Sequence, residues 1–322
     1  MNILITGGSG FIATKLIKKL VGLKTINVNG KLETVNKIHA IDLFEPQIKI
    51  ESVSYHQVSL NDELMISDLV AKIKPSFVIH LAAVVSSAAE QDFDLGMRVN
   101  VDGTRILLEA CRELENCPRF VFASSVAVFS GVSCILDSTV AIPTSTYGMT
   151  KVLGEYMVNE YSRKKYISGI AVRLPTITVR PGKPNKAASS FVSSIIREPL
   201  NNEQTTCPVV PGLSVWISSP KVIIDNLIHA VAIEDERISN TINLPGLSVT
   251  VAEMVSAMTN LGGNADLIYW KEDESIKRIV SDWPQKMITS QAKSLGFKSD
   301  TTISEIITSY IESENMHTLI HE

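Results

Sequence analysis

The chain opens with MNILITGGSGFIATKL, and this segment limits the fold more than any other part of the sequence. Residues 2–6 are a short, mostly apolar run typical of a buried strand, and the apolar residues that follow recur at helical spacing. Between them, Gly7 and Gly10 permit a tight turn that lets backbone N–H groups approach a pyrophosphate at the helix N-terminus. Ala13 has a small side chain, which lets the helix pack closely against the strand. The segment therefore predicts the first strand, turn and helix of a dinucleotide-binding domain.

Strand-like and helix-like segments then alternate as far as Leu174. Further strands are expected at IHAID, YHQVSL, FVIHLAA, RFVFASS and GIAVRL, with amphipathic helices between them. This alternation indicates βαβ units, and hence an α/β fold with a doubly wound parallel sheet of the Rossmann type.

The pattern breaks after Arg173, because residues 175–220 hold seven of the 13 prolines. We expect this loop-rich part to belong to a smaller, mostly C-terminal substrate-binding lobe near the carboxyl ends of the strands, where α/β proteins bind ligands. The expected boundaries are 1–175 and about 215–245 for the Rossmann domain, and about 176–214 and 246–322 for the lobe.

An acidic residue, Asp42, ends the second predicted strand of the sheet. A carboxylate at this place accepts hydrogen bonds from ribose hydroxyls and repels a 2′-phosphate. No Arg follows it, so the sequence favours NAD over NADP as the cofactor. The polar stretch at 22–37 precedes this strand as an insertion, with a small hairpin expected around Asn29-Gly30.

Charge, hydropathy and cysteine spacing narrow the class of protein. A net charge of −4 gives no electrostatic basis for binding nucleic acid or an anionic membrane. The N-terminus has the pattern of a strand and not of a signal peptide, and no run of about 18 apolar residues predicts a membrane span. The four cysteines match no metal-ligand spacing, so we expect no metal site and a location in the reducing cytoplasm.

Two tyrosines have a lysine four residues further on, which places each pair one helical turn apart. Tyr147 and Lys151 lie where a helix is expected to begin, just after a predicted strand and its loop. Tyr161 and Lys165 lie about 21 Å further along the same helix, beside the basic stretch YSRKK. We expect the first pair to belong to a site and the second to be a solvated face.

Five short motifs occur in an order that resembles the extended short-chain dehydrogenase/reductase family. They are TGGSGFIA at the N-terminus, HLAA (80–83), NVDGT (100–104), SSVAVF (124–129) and YGMTK (147–151). The resemblance implies a strand order of 3-2-1-4-5-6-7, a bound NAD and a catalytic trio of Ser125, Tyr147 and Lys151. It also implies a homodimer that pairs the helices expected at 102–114 and 147–161.

The same resemblance implies the residues that contact NAD. They are Gly7, Gly10, Phe11, Ile12, Asp42, Ser59, Leu60, Leu81, Ala82, Ala83, Asn100, Tyr147, Lys151, Pro175 and Ile177. One position departs from the family: where an acid often holds adenine after the third strand, this chain has Ser59, with Asp62 nearby.

The trio suits proton transfer during oxidation of an alcohol. A phenol has a reference pKa of about 10, too high for a base at neutral pH. A nearby ammonium and the positive nicotinamide of NAD⁺ both favour phenolate. Ser125, at a strand's carboxyl end, can hydrogen-bond the reacting oxygen.

Several reactions are compatible with such a trio, and the sequence separates them in part. A 4,6-dehydratase commonly has an Asp-Glu pair after the catalytic Ser or Thr, whereas Val126 and Ala127 follow Ser125 here. A sugar-nucleotide epimerase stays open as an alternative: the usual charged stretch is replaced by SVWISSPK, but Arg180, Lys183, Lys186 and Arg197 could hold a diphosphate. A non-catalytic NAD-binding protein is less favoured, because it needs no base.

The cation-bearing stretch LPTITVRPGKPNKAASSF, with LPGLSVTVAEM and RIVSDWP, resembles the D-erythronate dehydrogenase group within the family. This resemblance implies NAD-dependent oxidation of a small sugar acid at C2 to the 2-keto acid. Arg180 is our candidate for clamping the carboxylate. The full set of expected substrate-binding residues is Ser86, Ser125, Thr144, Tyr147, Arg180, Asn185 and Ser190.

Overall fold

The computed structural model describes residues 1–182, 189–234, 241–280, 282–314 and 316, and describes Arg278 by its backbone alone. The chain divides into two compact units. The first comprises Met1–Val128, Ser145–Arg173 and Ile224–Asn243, and the second comprises Phe129–Thr144, Leu174–Ile223 and Leu244–Glu322.

Apart from shifts of two residues at 174–175 and 244–245, this division differs from the expected boundaries at two places. Residues 129–144 join the second unit because the strand at Cys134–Leu136 pairs with the strand at Lys286–Ile288. Residues 215–223 join it because Ser214–Ser218 pairs with Leu247–Thr250. Both differences arise from pairing between segments far apart in the chain, which local sequence patterns do not reveal.

The strands and helices follow each other closely along the chain. The strands are β1 (Asn2–Thr6), β2 (Thr25–Val28), β3 (Lys31–Thr34), β4 (Lys37–Asp42), β5 (Val53–Gln57), β6 (Phe77–His80), β7 (Arg119–Ser125), β8 (Cys134–Leu136), β9 (Ser168–Leu174), β10 (Thr176–Ile177), β11 (Thr205–Cys207), β12 (Ser214–Ser218), β13 (Thr241–Asn243), β14 (Leu247–Thr250), β15 (Ile268–Trp270) and β16 (Lys286–Ile288). The helices are α1 (Phe11–Val21), α2 (Glu63–Ile73), α3 (Ser86–Gln91), α4 (Phe93–Gly96), α5 (Gly103–Arg112), α6 (Thr146–Arg163), α7 (Ser190–Leu200), α8 (Pro220–Ala232), α9 (Val251–Asn260), α10 (Glu274–Val280), α11 (Ser290–Ser294) and α12 (Ile303–Ser313). Within the described parts of the chain, none of these helices has the length and apolar character needed to cross a membrane.

The first unit is built on a seven-stranded sheet in the order β5-β4-β1-β6-β7-β9-β13. Numbered by their order within this sheet, the strands read 3-2-1-4-5-6-7, so the expected Rossmann order is confirmed. The pairs β1–β4, β1–β6, β4–β5, β6–β7 and β9–β13 are all parallel. Parallel strands bring their carboxyl ends to one edge of the sheet, so residues that follow β1, β4, β6 and β7 can build one site there.

Continuous apolar runs place the central strands in the core. Residues 3–5 of β1 and 77–79 of β6 are fully buried, as expected for strands covered by helices on both faces. One core cluster joins β1, β6 and β7 to helices α2 and α5 through Leu4, Val78, Phe120, Val70 and Leu107.

The polar insertion forms the antiparallel β2–β3 hairpin, as the sequence predicts. Its turn residues have positive φ, 46° at Asn29 and 80° at Gly30. A two-residue hairpin turn of this kind requires positive φ at both positions, and Asn-Gly is favoured there for that reason. The backbone N–H groups of these two residues donate to the carbonyls of Val231 and Ala232 at the end of α8. The hairpin therefore satisfies carbonyl groups that the helix itself leaves without partners.

The second unit combines a three-stranded sheet, β10-β12-β14, with the two-stranded pairs β11–β15 and β8–β16. Its core lies among α7, α9 and α12, where Ile195, Met254 and Ile307 are fully buried in one cluster. Trp216 on β12 is also buried, at 7% exposure. This unit therefore has its own apolar core.

Candidate active site

The glycine-rich turn has the geometry of a phosphate-binding loop. Gly7 has a φ of +69°, and a Cβ at this position would lie 2.8 Å from the backbone nitrogen of Ala82. The N–H of Gly10 donates to the carbonyl of Gly7 at 2.9 Å, which closes the turn. Gly10 is also the N-cap of α1 and supplies no side-chain cap. The next residues, Phe11 and Ile12, begin the helix. The N–H groups of this first turn can therefore bind a pyrophosphate.

Asp42 is held at the carboxyl end of β4 by two backbone hydrogen bonds. Its Oδ2 accepts from the N–H of Ser9 and its Oδ1 from the N–H of Phe44, each at 3.0 Å. Each carboxylate oxygen keeps acceptor capacity beyond these bonds, so the residue can also receive ribose hydroxyls. A pocket lies beside it, lined by Gly8, Ser9, Ala40, Asp42, Phe44, Glu45, Pro46, Lys49, Tyr55, His56 and Gln57.

Ser59 and Leu60 follow the edge strand β5. Ser59 Oγ accepts from the N–H of Asn61 at 3.2 Å, and Leu60 is buried under α5, where a Cβ on Gly103 would touch it. Asp62 is the N-cap of α2 and accepts from the N–H of Met65 at 3.1 Å. The acid near Ser59 therefore has a capping role in the fold.

A buried hydrogen-bond chain joins β1, β6 and α5 beneath the glycine turn. Thr104 Oγ1 donates to the carbonyl of Asn100 at 2.6 Å, so it accepts from His80 Nε2 at 2.9 Å. His80 Nδ1 in turn accepts from Thr6 Oγ1 at 2.5 Å, and Thr6 Oγ1 accepts from the N–H of Ala82 at 3.3 Å. Burial, with a smaller effect of the Lys151 charge, lowers the pKa of His80 to about 3, so the imidazole is neutral.

Asn100 lies in a π-helical segment, Met97–Asp102, just before α5. Its Oδ1 accepts from the N–H of Val84 at 2.7 Å, and its Nδ2 donates to the carbonyl of the same residue at 3.1 Å. Nδ2 also donates to Thr150 Oγ1 on α6 at 3.1 Å. The side chain thus ties the segment after Leu81, Ala82 and Ala83 to the helix that carries Tyr147 and Lys151.

Tyr147 and Lys151 lie on the first turns of α6, which begins at the N-cap Ser145. The Lys151 side chain is buried, and its Nζ donates to the carbonyl of Ala123 on β7 at 2.7 Å. The ammonium lies 5.6 Å from the centre of the Tyr147 ring. Ser125 ends β7, and its Oγ accepts from the N–H of Ala127 at 3.1 Å.

Burial lowers the pKa of Lys151 to about 8, while the negative charge of Glu155 acts in the opposite direction. The ammonium therefore holds its proton at neutral pH and loses it near pH 8 and above. A buried cation beside the phenol favours the phenolate form of Tyr147. This is the electrostatic setting that a tyrosine base needs.

The second tyrosine–lysine pair is more ordered than the sequence indicates. Tyr161 is half-buried, donates a hydrogen bond to Glu109 Oε1 on α5, and packs edge-on against Tyr166. Burial and the hydrogen bond to Glu109 raise its pKa to about 12. The prediction of a solvated face is therefore wrong for Tyr161, because α5 packs against it, whereas Lys165 is exposed.

The remaining expected site residues are spread over both units. Ser86 is the first residue of α3 in the first unit. In the second unit, Thr144 is exposed, Ser190 begins α7, and Arg180 is half-buried. Pro175 is buried and precedes β10, which contains Ile177, while Asn185, Lys183 and Lys186 lie outside the described residues.

Arg197 is not a cation available to a diphosphate. Its Nη2 pairs with Glu198 Oε1 at 2.5 Å, and its Nη1 donates to the carbonyl of Arg180 at 2.6 Å. Both members of the ion pair are buried, with 6% and 7% exposure. The expectation from sequence was wrong here because the adjacent acid on α7 neutralises the guanidinium inside the core.

A family model decides the classification: the NAD dependent epimerase/dehydratase family matches residues 3–216. This chain belongs to the NAD-dependent epimerase/dehydratase family. The match spans the glycine turn, Asp42 and the Tyr147–Lys151 pair, and the resemblance seen in the sequence motifs is thereby confirmed.

Three named proteins are similar to this chain over nearly its whole length. A D-erythronate dehydrogenase of Cupriavidus necator is 42% identical over 98% of this chain and 99% of that protein. A D-erythronate dehydrogenase of Haemophilus influenzae is 44% identical over 97% of this chain and 99% of that protein. The crystal structure of a nucleoside-diphosphate-sugar epimerase from Agrobacterium tumefaciens superposes with a TM-score of 0.91 at 36% identity, covering 99% of this chain and 96% of that one.

NAD is the cofactor of this epimerase/dehydratase family member, and the first unit fits it. A side chain at Gly7 would meet the backbone of Ala82, so glycine is needed here for the turn to pack against the segment that follows β6. Asp42 ends β4 with acceptor capacity that suits ribose hydroxyls, and no basic residue follows it directly. No group of three His, Cys, Asp or Glu side chains among the described residues is arranged to hold a metal ion.

Sequence reasoning missed two positioning groups of this site. One is the chain Thr6–His80–Thr104, which fixes the backbone under the glycine turn. The other is Glu155, which lies one turn beyond Lys151 on α6. The spacing of Tyr147, Lys151 and Glu155 at intervals of four was a signal that could have found the second group.

Proposed function

We propose that this chain is an NAD-dependent dehydrogenase that oxidises C2 of D-erythronate, or of a closely similar small sugar acid, to the 2-keto acid. The observation that carries the proposal is the Tyr147–Lys151 arrangement, with the ammonium fixed against Ala123 at the end of β7 and 5.6 Å from the phenol ring. The substrate class is supported by the two relatives named D-erythronate dehydrogenase at 42% and 44% identity.

The residues have distinct roles in this proposal. Tyr147 takes the hydroxyl proton of the substrate, and the Lys151 ammonium favours its phenolate form. Ser125 donates a hydrogen bond to the reacting oxygen. NAD⁺ supplies the hydride acceptor when bound. Charge loss at Lys151 near pH 8 would weaken this stabilisation of the phenolate at higher pH.

The substrate carboxylate is assigned to Arg180, whose backbone is fixed between Ser193 Oγ, at 3.1 Å, and Arg197 Nη1, at 2.6 Å. A guanidinium can bind a carboxylate through two parallel hydrogen bonds. Ser86, Thr144, Asn185 and Ser190 stay proposed partners of the substrate hydroxyls. Arg180→Ala should mainly raise KM for the acid, since the clamp holds ground and transition states alike.

A sugar-nucleotide epimerase is the second candidate. It is favoured by the 36% identity to a structure named as a nucleoside-diphosphate-sugar epimerase. The buried Arg197–Glu198 pair removes one of the cations that a diphosphate would use, which weakens this candidate. A dehydratase is disfavoured because Val126 and Ala127, in the turn after Ser125, carry no ionisable group.

We also propose that the chain acts in carbohydrate metabolism as a homodimer. Helix α6 presents Tyr156 at 67% exposure, with Val152 and Met157 only partly buried on the same helix. An exposed aromatic surrounded by apolar residues is typical of a protein interface. The cytoplasmic location stays a prediction.

The decisive experiment measures NADH formation from NAD⁺ with D-erythronate, other aldonates and UDP-sugars. A dehydrogenase releases NADH, whereas an epimerase returns its hydride and gives no net NADH. Tyr147→Phe should lower kcat by at least about 10²-fold, the low end for general acid–base catalysis, and keep NAD⁺ binding.

Tyr161→Phe is the matched control for this experiment, because it alters the other Tyr–Lys pair of α6 and should retain near-parental kcat. Epimerisation of a UDP-sugar without net NADH would overturn the proposal. Parental turnover of D-erythronate by the Tyr147→Phe enzyme would do the same.

A further inference from the structure

Helix α6 carries a third ionisable residue in line with the proposed site. Glu155 follows Lys151 by four residues, as Lys151 follows Tyr147, so the three lie along one side of the helix. Glu155 is 4% exposed and Lys151 is 3% exposed. A buried carboxylate is costly unless it is paired and hydrogen-bonded, so its partners indicate why it is there.

Glu155 binds the strand that ends at Ser125. Its Oε1 accepts from Ser124 Oγ on β7 at 2.5 Å. The preceding residue of the same strand, Ala123, accepts from Lys151 Nζ at 2.7 Å. Two consecutive residues of β7 are therefore fastened to two consecutive turns of α6, immediately before the proposed catalytic serine.

Glu155 also pairs with an arginine that is only partly buried. Arg173 on β9 donates from Nε to Oε1 at 2.9 Å and from Nη2 to Oε2 at 2.7 Å. Arg173 Nη1 donates to Asn243 Oδ1 on β13 at 3.3 Å. The carboxylate thus links α6 to three neighbouring strands of the sheet.

The charges around Lys151 come from a small set of groups. Its own helix contributes Tyr147 and Glu155, β6 contributes His80, and β9 contributes Arg173 through its pair with Glu155. Two groups of β7 also contact the ammonium. The Ala123 carbonyl accepts its hydrogen bond, and the centre of the Phe122 ring lies 4.8 Å from Nζ. His80 is neutral, so Glu155 is the negative group that favours a charged Lys151.

We infer that Glu155 is a positioning residue of the Tyr147–Lys151 site: it keeps the Lys151 ammonium charged and fixes the end of β7 that carries Ser125. The inference rests on the proposed role of Tyr147 as the base. It goes beyond that role, because it assigns the protonation state of the pair to a buried residue whose carboxylate is held by Ser124 and Arg173.

The charge contribution has a definite sign. Burial lowers the pKa of Lys151 to about 8, and Glu155 opposes this decrease. Without the carboxylate charge, the pKa of Lys151 would fall further, so the lysine would be neutral at a pH where it is now charged. A neutral lysine stabilises the phenolate less, and Tyr147 would ionise only at higher pH.

The test compares kcat/KM against pH for the parent and for Glu155→Gln. Glutamine keeps the side-chain length and can still accept from Ser124, but it carries no charge. We expect the ascending limb of the kcat/KM profile to shift to higher pH by about one unit. This is the low end of the pKa shift that one nearby charge produces. A fall in kcat/KM that is equal at every pH, with the limb at its parental position, would overturn the inference.

Ser124→Ala is the matched control for geometry, since it removes the hydrogen bond to Glu155 and keeps the charge. It should lower kcat without moving the limb, and a moved limb in this variant would count against the assigned role of the charge. If Glu155→Gln does not fold because Arg173 is left unpaired, the double variant Glu155→Gln/Arg173→Met removes both charges. An upward shift is expected there too, smaller than in Glu155→Gln because loss of the Arg173 charge favours a charged Lys151, and its absence would refute the inference.

Direct titration of Tyr147 separates failure of this inference from failure of the proposed function. Phenolate absorbance is recorded against pH with NAD⁺ bound, and the Tyr147→Phe spectrum is subtracted in each background. The Tyr147 transition should occur at higher pH in Glu155→Gln than in the parent. An unmoved transition refutes the inference even if the dehydrogenase is confirmed, and a moved one supports it whichever substrate is found.

Discussion

At the scale of single residues, backbone conformation decides what the glycine turn can hold. Gly7 and Gly131 have nearly the same φ, +69° and +68°, but different surroundings. A Cβ on Gly7 would meet the backbone of Ala82 at 2.8 Å, whereas a Cβ on Gly131 would meet nothing within 4 Å. Alanine substitutions at the two positions therefore distinguish two destabilising effects. Both variants place a Cβ on left-handed backbone, but only the one at Gly7 also adds a steric clash.

Gly131→Ala should lower the free energy of unfolding by about 1 kcal/mol, the cost of a left-handed conformation for a residue with a Cβ. Gly7→Ala should lower it by about 3 kcal/mol, because overpacking against fixed backbone is added. It should also raise the Kd for NAD⁺ at least about tenfold, the equivalent of 1.4 kcal/mol, while Gly131→Ala keeps the parental Kd. Urea unfolding and calorimetric titration measure both quantities. Equal effects of the two variants on NAD⁺ binding would contradict this account of the turn.

At the scale of elements, buried polar side chains join strands and helices that the apolar pattern only brings near each other. His80 links β1 to α5 through Thr6 and Thr104. Arg119, almost fully buried, donates to the carbonyl of Ala230 at the end of α8 at 2.8 Å and 3.2 Å. These bonds give the edge of the sheet a single arrangement, since each buried polar group is costly without its partner.

His80 should make the stability of the fold depend on pH. Its folded-state pKa is about 3, and its ordinary value is 6.5. Between these values the unfolded chain binds a proton that the folded chain does not, so stability falls as pH falls below 6.5, by about 1.4 kcal/mol per pH unit from this residue. His80→Gln should remove this contribution. The slope of the free energy of unfolding against pH, between pH 6.5 and pH 4.5, should then decrease by the equivalent of about one bound proton.

Urea unfolding at a series of pH values measures this slope. Thr104→Val is the control, because it breaks the hydrogen bond but leaves the buried imidazole, and it should keep the parental slope. A His80→Gln protein with an unchanged slope would show that another group controls acid unfolding.

At the scale of the whole molecule, the proposed homodimer explains the exposed apolar face of α6. Tyr156→Glu would place a charge in that interface, and burial of an unpaired charge opposes association. Light scattering at micromolar concentration should give about twice 35.2 kDa for the parent and 35.2 kDa for the variant. Leu32→Glu, on the β2–β3 hairpin at 73% exposure, is the matched control and should stay dimeric. A parent of 35.2 kDa would refute the proposal.

The sequence by itself determined the features that depend on local pattern. The order of strands and helices, the glycine turn, the Asn29-Gly30 hairpin and the acid at Asp42 follow from periodicity and from residues that tolerate particular backbone angles. The motif order also predicted the family, which the comparisons confirm. The assignment of Ser125, Tyr147 and Lys151 came from the same motifs and stays a prediction.

Only the tertiary structure decided which distant side chains meet. Glu155 gains Ser124 and Arg173 because the sheet order places β7 and β9 side by side under α6. Tyr161 acquires Glu109 because α5 packs against α6, and residues 129–144 leave the Rossmann unit because β8 finds its partner in β16. Such pairings depend on which elements become neighbours in the fold, and a residue's type and spacing carry no record of its neighbour across the sheet.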